Sequence, residues 1–323
     1  MRVSGRVTQR YRLPPLVARN LLIETLCCPS VACGDEDKHL GKKIDTRAVG
    51  LDIGLAAIKF LTGKENLHYG IWDGLDICAA HVGPAQEAYT DKLFELLPEG
   101  PLSILDIGGG AGETAKKLLA LGHQVDIVIP SAYLADRCRA NAPEATVYEL
   151  KFEEFETDKN YDLCLFSESF QYIPMEVSFP KVATLLKPNG HLIIADCFRT
   201  EAYYQPNRTS RVGGGHALTA YREALETCAF DVLSEEDITT SVAPSVQVEQ
   251  DLFHVIGLGV DRFDDELQSK RPMARKMIHG VLGMILSKRR RAKLYDRLTG
   301  NTRTAEQFEK YNIYLMSALR LKT

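Results

Sequence analysis

The sequence has no run of eighteen apolar residues, so nothing in it predicts a helix that spans a membrane. Its arginine-rich start contains Pro14 and Pro15 and lacks an apolar core followed by small residues, which argues against a secretory signal. A mitochondrial presequence is also rich in arginine and is the less favoured alternative. We therefore expect a cytoplasmic protein.

Cysteine is too sparse for a disulfide scaffold, with eight residues in a chain of 323. Cys164 and Cys197 fall inside apolar runs, where a thiol behaves as a small hydrophobic side chain. Three cysteines and a histidine lie together in residues 27–39, but the chain has no Cys-x-x-Cys pair that could build a tetrahedral site. The sequence therefore predicts a reducing compartment and no bound metal.

Positive charge is in slight deficit, with 39 Lys and Arg against 43 Asp and Glu and a net charge of −4. General nucleic-acid binders usually carry a positive excess, so we expect no nucleic-acid partner. The basic residues concentrate at the two ends, in residues 2–19 and 288–293. The acidic residues dominate the middle of the chain.

From Ser103 onward, apolar runs alternate with helical patterns, which predicts an α/β fold with a parallel sheet. The predicted strands are residues 103–107, 124–129, 145–150, 161–166 and 191–197. Two later strands, 230–238 and 311–321, would close the sheet as an antiparallel pair with the basic helices of residues 260–300 inserted between them. Residues 186–190 predict a helix end and a tight turn, in which Gly190 adopts positive φ.

A glycine turn between the first predicted strand and a helix is the strongest local signal, in the segment 104–115 (ILDIGGGAGETA). Glycine lets the backbone turn sharply and lets a ligand lie against it, while the helix start offers N–H donors. A dinucleotide site requires GxGxxG, and here Glu113 takes the third glycine position. Its carboxylate would repel a diphosphate, which argues against NAD or FAD.

The pattern Asp106-x-Gly108-x-Gly110-x-Gly112 resembles the first motif of class I S-adenosylmethionine-dependent methyltransferases. Residues 161–166 (YDLCLF) resemble that family's fourth strand, and 185–194 (LLKPNGHLII) resemble the start of its fifth. The resemblance covers roughly residues 60–240. It implies a Rossmann-like seven-stranded sheet, S-adenosylmethionine as cofactor, and Asp106 as the acid that receives the cofactor's ammonium group.

The resemblance also implies where the nucleoside would bind. The family normally has an acid for the ribose hydroxyls at the end of its second strand, and Ile129 takes that place here, followed by Pro130 and Ser131. Ser131, a backbone carbonyl or, less favourably, Asp126 would have to serve instead, since an unpaired buried hydroxyl costs about 1–3 kcal/mol. For the adenine amino group, Glu153 is the first candidate and Glu154 the second; two solvated glutamates at a helix start are nearly as good an explanation.

Residues 67–73 (LHYGIWD), together with Pro84-Ala85-Gln86, resemble the HxGxW…AQ segment of small-molecule methyltransferases of the tocopherol, ubiquinone and phosphoethanolamine type. In those enzymes the aromatic segment forms a lid over the cofactor. The resemblance implies that Tyr69 and Trp72 contact the cofactor. Core packing on one helix face is the alternative explanation for both aromatic residues.

The acceptor would lie at the carboxyl ends of the strands, where open α/β sheets bind ligands. Glu168 is a candidate base and a candidate cofactor contact, and His216 and His68 are further candidates for direct chemistry. The candidate acceptor contacts are Gln171, Tyr172, Arg199 and Tyr203. The loop that carries Tyr203, Tyr204 and Gly213-Gly214-Gly215 is expected to fold over the sheet edge.

Residues 274–298 combine apolar residues at helical spacing with a basic cluster. Such a segment can lie on an anionic membrane or cover an apolar pocket, although a core-facing helix with a solvated basic end is the favoured explanation. We therefore expect a small-molecule partner and, as an alternative role of this segment, peripheral membrane contact. The sequence does not specify an oligomeric state.

The pattern predicts a methyltransferase with a helical region and lid (1–98), a cofactor-binding core (99–240) and a helical substrate cap with the last strand (241–323). The acceptor is expected to be small and hydrophobic or membrane-associated. Two alternatives stay open: an S-adenosylmethionine-binding enzyme with other chemistry, and a non-catalytic module that kept the fold. A nucleic-acid methyltransferase is disfavoured because residues 167–170 (SESF) replace the NPPY or DPPY motif.

Overall fold

The computed structural model describes residues 46–208, 210 and 212–322, and the side chains from residue 50. The cysteine and histidine cluster at 27–39 and the basic residues at 2–19 lie outside these residues. Within the described part, the chain forms a mixed sheet with helices on both faces. No described helix combines the length and the apolar character needed to cross a bilayer.

Seven strands form one sheet in the order β3-β2-β1-β4-β5-β7-β6. Five are parallel, and β7 runs antiparallel to both β5 and β6. Their bounds are β1 Ser103–Ile107, β2 Gln124–Val128, β3 Thr146–Tyr148, β4 Tyr161–Ser167, β5 Leu186–Arg199, β6 Phe230–Asp237 and β7 Asn312–Leu321. The predicted fold class and the antiparallel closing pair are confirmed.

Ten helices accompany the sheet in the described residues, apart from short 3₁₀ turns at 79–81, 152–154, 170–172 and 201–204. The first six are α1 Thr46–Thr62, α2 Val82–Phe94, α3 Glu113–Ala120, α4 Ala132–Asn141, α5 Met175–Leu185 and α6 Leu218–Thr227. The last four lie between β6 and β7: α7 Thr239–Lys270, α8 Pro272–Ile285, α9 Lys288–Thr299 and α10 Ala305–Tyr311. This insertion matches the predicted position of the basic helices.

The strands alternate their side chains between two buried layers, as a sheet covered on both faces requires. Ile104 of β1 and Leu163 of β4 enter one hydrophobic cluster, while Leu105 and Cys164 enter the other. The sheet is therefore held rigidly, and the carboxyl ends of β1, β4 and β5 meet along one edge.

The prediction for residues 186–190 was wrong in its detail. The helix ends at Leu185, and β5 begins directly at Leu186. Asn189, with φ 61°, takes the left-handed conformation that was expected of Gly190. Asparagine tolerates this conformation because its short polar side chain can hydrogen-bond locally, so the Pro-Asn-Gly pattern was compatible with either residue.

Helix α7 contains 32 residues and is about 48 Å long at 1.5 Å per residue. It packs against α9, α10 and β7. At the crossing with α9, a Cβ on Gly257 would overlap the carbonyl oxygen of Leu298. Gly257 therefore allows the two helix backbones to touch.

Gly257→Ala should destabilise the protein by about 1–3 kcal/mol, because the added methyl group forces α7 and α9 apart. Gly259→Ala in the same helix is the matched control, since a Cβ there meets nothing within 4 Å. Alanine at 259 should stabilise the helix by about 0.8–1 kcal/mol. Urea unfolding measures both changes, and equal effects of the two substitutions would contradict a close crossing at Gly257.

Candidate active site

The glycine turn connects β1 to α3 at the carboxyl edge of the sheet. Gly108, Gly110 and Gly112 have φ values of 79°, 55° and 86°, which L side chains rarely adopt. A Cβ on Gly108 would overlap the side chain of Ser169, and one on Gly112 would lie 2.9 Å from the Cα of Cys138. The backbone at Gly108–Gly110 is only half-buried, so a ligand can approach it directly.

Asp106 lies at the end of β1, directly beneath this turn, and is 1% exposed. Burial raises the pKa of its carboxyl group to about 7. Among the described residues, no group donates a hydrogen bond to its Oδ2 atom. A Cβ on Gly109 would lie 2.6 Å from that oxygen, so glycine at this position lets the turn pack directly onto the carboxylate.

Residues 65–72, which we call the lid segment, run across the glycine turn. Leu67 reaches within 3.9 Å of a Cβ position on Gly110. Gln86 of α2 donates hydrogen bonds from Nε2 to the carbonyl oxygens of Asn66 at 3.1 Å and His68 at 2.9 Å. The lid segment is therefore anchored from below by the glutamine of the predicted AQ motif.

Glu65 anchors the start of the lid segment, and the sequence reasoning missed it. Its carboxylate accepts hydrogen bonds from Arg137 at 2.8 Å, Asn141 at 2.6 Å and Lys59 at 2.6 Å. Burial opposes its ionisation, but these hydrogen bonds lower the pKa of Glu65 to about 2. Arg137 and Asn141 belong to α4, more than seventy residues away, so no local pattern could reveal the cluster.

Tyr69 and Trp72 lie in an irregular stretch and not on a helix, so the expectation of a shared helix face was wrong, but both side chains pack against the core, Trp72 against Val82 and Ala85. Ser245 of α7 accepts hydrogen bonds from the Gly70 N–H at 2.9 Å and from Trp72 Nε1 at 2.8 Å. The Tyr69 ring packs edge-on against Phe308 at 5.8 Å. The first half of α7 therefore forms a roof over the lid segment.

The side chain of His68 points from the lid segment into the core. Its ring stacks on Tyr89 at 4.4 Å, and its Nδ1 atom is 2.7 Å from the carbonyl oxygen of Tyr69. Burial lowers the pKa of His68 to about 4, so the ring is neutral at neutral pH. In this position the side chain packs and orients the lid segment.

Glu168 directly follows β4 and has φ 58°, a left-handed conformation that costs a non-glycine residue about 1–2 kcal/mol. Its Oε1 atom accepts hydrogen bonds from the Tyr69 N–H at 2.7 Å and the Tyr314 hydroxyl at 3.1 Å. Burial raises the pKa of Glu168 to about 8. Strain and an unusual pKa at a strand end are typical of functional positions.

A chain of hydroxyl groups extends from this carboxylate. The Tyr314 hydroxyl is 2.8 Å from that of Tyr89, which is 3.1 Å from the Oγ atom of Ser167. Tyr314 lies on β7, 146 residues from Glu168 along the chain, so no local pattern predicts their contact. The network connects β4, β7, α2 and the lid segment.

Gln171 faces β5 and not open solvent. Its backbone N–H and its Nε2 atom both donate to the carboxylate of Asp196 at 2.9 Å. Asp196 is fully buried, and burial raises its pKa to about 7. An acid inside the apolar run 192–198 was a signal for this residue that the sequence reasoning did not use.

The triple-glycine loop lies against the end of β5, as the sequence predicted. A Cβ on Gly215 would overlap the carbonyl oxygen of Cys197, so only glycine permits this approach. His216 follows, with Nε2 3.1 Å from the carbonyl oxygen of Phe170 and 3.0 Å from that of Ile173. That nitrogen therefore donates to the backbone, which leaves Nδ1 for other partners.

The remaining acceptor candidates lie at the rim. The guanidinium group of Arg199 stacks 4.6 Å from the Tyr203 ring centroid, and that of Arg208 stacks at 4.0 Å. Tyr172 and Tyr204 are exposed. The structure thus groups Arg199 with Tyr203 and places Tyr172 on the 3₁₀ turn at 170–172.

The residues predicted to bind the nucleoside lie on β2 and in the segments that follow β2 and β3. Ile129 is buried, and Ser131 accepts a hydrogen bond from the Leu134 N–H as the N-cap of α4. Asp126 was a poor candidate and is committed elsewhere, to Lys159 at 2.7 Å and Tyr161 at 2.8 Å. The segment from Glu153 to Glu154 forms an exposed 3₁₀ turn.

In the part of the chain that the structure covers, no three His, Cys, Asp or Glu side chains come together as a metal site would require. The polar groups at the sheet edge are three carboxyls whose pKa burial raises, a hydroxyl network and an accessible glycine backbone. Such a set suits a cationic ligand and proton transfer.

Comparison with known proteins agrees with this geometry. A sequence model described as a methyltransferase domain matches residues 105–194. An uncharacterized methyltransferase of Mycobacterium tuberculosis is 31% identical over 98 residues, which is 30% of this chain and 40% of the relative. The chain thus spans less than half the length of that relative.

Two solved structures share the fold. The geranyl diphosphate C-methyltransferase from Streptomyces coelicolor A3(2), solved with S-adenosyl-L-homocysteine, has a TM-score of 0.56 and 16% identity over 82% of this chain and 91% of its own. The [4+2]-cyclase SpnF has a TM-score of 0.58 and 17% identity over 85% and 96%. Residues 105–194 thus match a methyltransferase domain, and the chain has the α/β fold of these two solved structures.

Proposed function

We propose that this protein transfers the methyl group of S-adenosylmethionine to a small, lipophilic acceptor held between the lid segment and the carboxyl edge of the sheet. The observation that carries the proposal is the buried carboxylate of Asp106, whose Oδ2 atom lacks a donor among the described residues beneath an accessible glycine turn. A buried carboxylate is costly unless a cation or a donor completes it. The ammonium group of the cofactor has the charge and the hydrogens to do so.

The surrounding residues fit the same ligand. Gly108, Gly110 and Gly112 would receive the methionyl and ribose parts, and Tyr69 and Trp72 belong to the segment that would cover them. Ser131 and Glu153 are the proposed partners of the ribose and the adenine. Because Ile129 supplies no carboxylate, the ribose hydroxyls would bind less tightly than in relatives that have the acid.

When bound, S-adenosylmethionine supplies an electrophilic methyl group on its sulfonium. Glu168 is the proposed base for an acceptor that must lose a proton. With a pKa of about 8, its carboxyl group is matched to proton transfer near neutral pH. The Tyr314 hydroxyl, donating at 3.1 Å, would orient the carboxylate, and the network behind it excludes water from that side.

Gln171, Tyr172, Arg199 and Tyr203 are the proposed acceptor contacts, and His216 is a second candidate for proton transfer through Nδ1. His68 is proposed to act by positioning the lid segment. Most of the rate of a methyl transfer can come from holding the two reactants in line. A roof built from the lid segment and α7 supports this role.

Asp106→Asn should weaken S-adenosylmethionine binding by about 10- to 100-fold, the equivalent of about 1.5–3 kcal/mol for a hydrogen bond to a charged group. In the unmodified protein, affinity should rise as the pH increases to about 7, because the cation binds the ionised carboxyl group. The variant should lack this dependence. Isothermal titration calorimetry with S-adenosylmethionine and S-adenosylhomocysteine measures both effects.

Asp126→Asn is the matched control, since the same change on the neighbouring strand touches only Lys159 and Tyr161. It should leave the binding constants unchanged. Undetectable binding of both ligands to the unmodified protein at millimolar concentration would refute the proposed function.

Glu168→Gln should lower the rate of methyl transfer by about 10²- to 10⁴-fold, the usual contribution of a general base. The rate of the unmodified enzyme should rise with pH through about 8, as Glu168 loses its proton, and the variant should lose that limb. Tyr314→Phe should move the limb to higher pH, because the lost hydrogen bond favours the carboxylate. The reaction is followed with radiolabelled S-adenosylmethionine and a lipid extract that supplies the acceptor. The measured quantity is the radiolabel that enters the organic phase. An unchanged pH profile in Glu168→Gln would exclude Glu168 as the base.

A further inference from the structure

The second half of α7 and helix α8 form a helical hairpin that exposes an apolar surface. On α8, Met273, Met277 and Met284 are 84%, 68% and 80% exposed, and no residue of this helix is buried. These three methionines and Val281 follow one another at intervals of four, four and three residues, which places all four side chains on one face of α8. The favoured expectation of a core-facing helix over residues 274–298 was therefore wrong for α8.

Helix α7 extends the same kind of surface. Leu252, Val255, Ile256 and Phe263 share one face of the helix by their spacing, and Phe263 is 63% exposed. The hairpin is clamped by Asp264 of α7, whose carboxylate accepts from Arg275 Nη2 at 2.7 Å and lies 2.8 Å from His279 Nε2. The apolar side chains are thus presented by a fixed pair of helices.

The charge beside this surface is strongly one-sided. Residues 270–299 contain ten Lys and Arg but one acid, Asp296, in a chain whose net charge is −4. Lys288, Arg289, Arg291 and Lys293 of α9 are all exposed. An exposed apolar stripe next to a basic cluster is the composition of a helix that lies in the interface of an anionic bilayer.

We propose that the α7–α8 hairpin, with the basic helix α9, docks this protein on an anionic phospholipid bilayer. The proposal rests on the proposed function, because the bilayer would then be the source of the lipophilic acceptor. A second copy of the chain suits the surface poorly, since a two-fold interface would bring the basic clusters together. A nucleic acid suits it poorly as well, because three exposed methionines offer nothing to phosphates.

The placement of the hairpin supports this role. The first half of α7 holds the lid segment through Ser245, and the same continuous helix carries Val255 and Phe263 at its far half. Gly257 brings α9 into backbone contact with α7 within the second of these regions, on the stretch that also carries Val255 and Phe263. The roof of the candidate active site and the exposed apolar surface are therefore parts of one helix.

Vesicle flotation tests the proposal with the full chain and two lipid compositions, phosphatidylcholine alone and phosphatidylcholine with phosphatidylglycerol. We expect the protein to float with the anionic vesicles and to be released by salt. Met277→Asp should lower the vesicle partition coefficient about 10- to 100-fold, because it removes one apolar side chain that would be buried in the bilayer. Changing Lys288, Arg289 and Lys293 together to glutamine should lower it about 100-fold, at about fivefold for each charge.

Leu121→Asp is the matched control, because Leu121 is 61% exposed and follows α3, away from the hairpin. It should float like the unmodified protein. Failure of the unmodified protein to float with anionic vesicles, or unchanged flotation of Met277→Asp, would overturn the proposal. A dimer in sedimentation velocity that Met277→Asp dissociates would overturn it too, by showing that a second copy covers the surface.

Calorimetry with S-adenosylhomocysteine on the same preparations separates the two proposals. A protein that binds S-adenosylhomocysteine but no vesicle refutes only membrane docking. A protein that floats but binds neither cofactor form refutes only the methyltransferase. Normal S-adenosylhomocysteine binding by Met277→Asp also shows that this variant is folded.

Discussion

The carboxylate of Glu168 is the interaction on which the candidate active site depends. Its single Oε1 atom accepts hydrogen bonds from the lid segment and from β7, which are separated by more than two hundred residues along the chain. The strained backbone at Glu168 is tolerated because these partners determine the side chain's position. Loss of the Glu168 carboxylate would release the lid segment, the end of β4 and the hydroxyl network together.

Burial explains the unusual acid–base properties of this site. Asp106, Glu168 and Asp196 lie near the carboxyl ends of adjacent strands, and burial raises the pKa of Asp106 and Asp196 to about 7 and that of Glu168 to about 8. Asp196 is completed by Gln171, Glu168 by two donors, and Asp106 is left with an open oxygen. The three carboxyls therefore differ in their hydrogen-bond partners, which separates the structural acid Asp196 from the proposed proton acceptor Glu168 and the proposed cation site Asp106.

Local patterns were enough to predict the sheet, its closing antiparallel pair and the glycine turn, because each depends on neighbouring residues and on the alternation of buried side chains. They also predicted that the loop at Gly213–Gly215 meets the sheet edge. They could not predict Glu65, Tyr314 or the clamp at Asp264, since these depend on partners brought together only by the fold. The exposure of α8 was missed for a related reason: an amphipathic pattern shows that a helix has an apolar face but not what that face meets.

The contact at Gly257 brings the backbones of α7 and α9 together, and beside it Arg297 of α9 pairs with Glu249 and stacks on Phe253 of α7. The exposed side chains of the hairpin contribute little to that contact. Random substitution during evolution could therefore change what this outer surface recognises without disturbing the sheet edge where the reaction is proposed to occur. We therefore expect related proteins to share the sheet and differ in the surface that their outer helices bind.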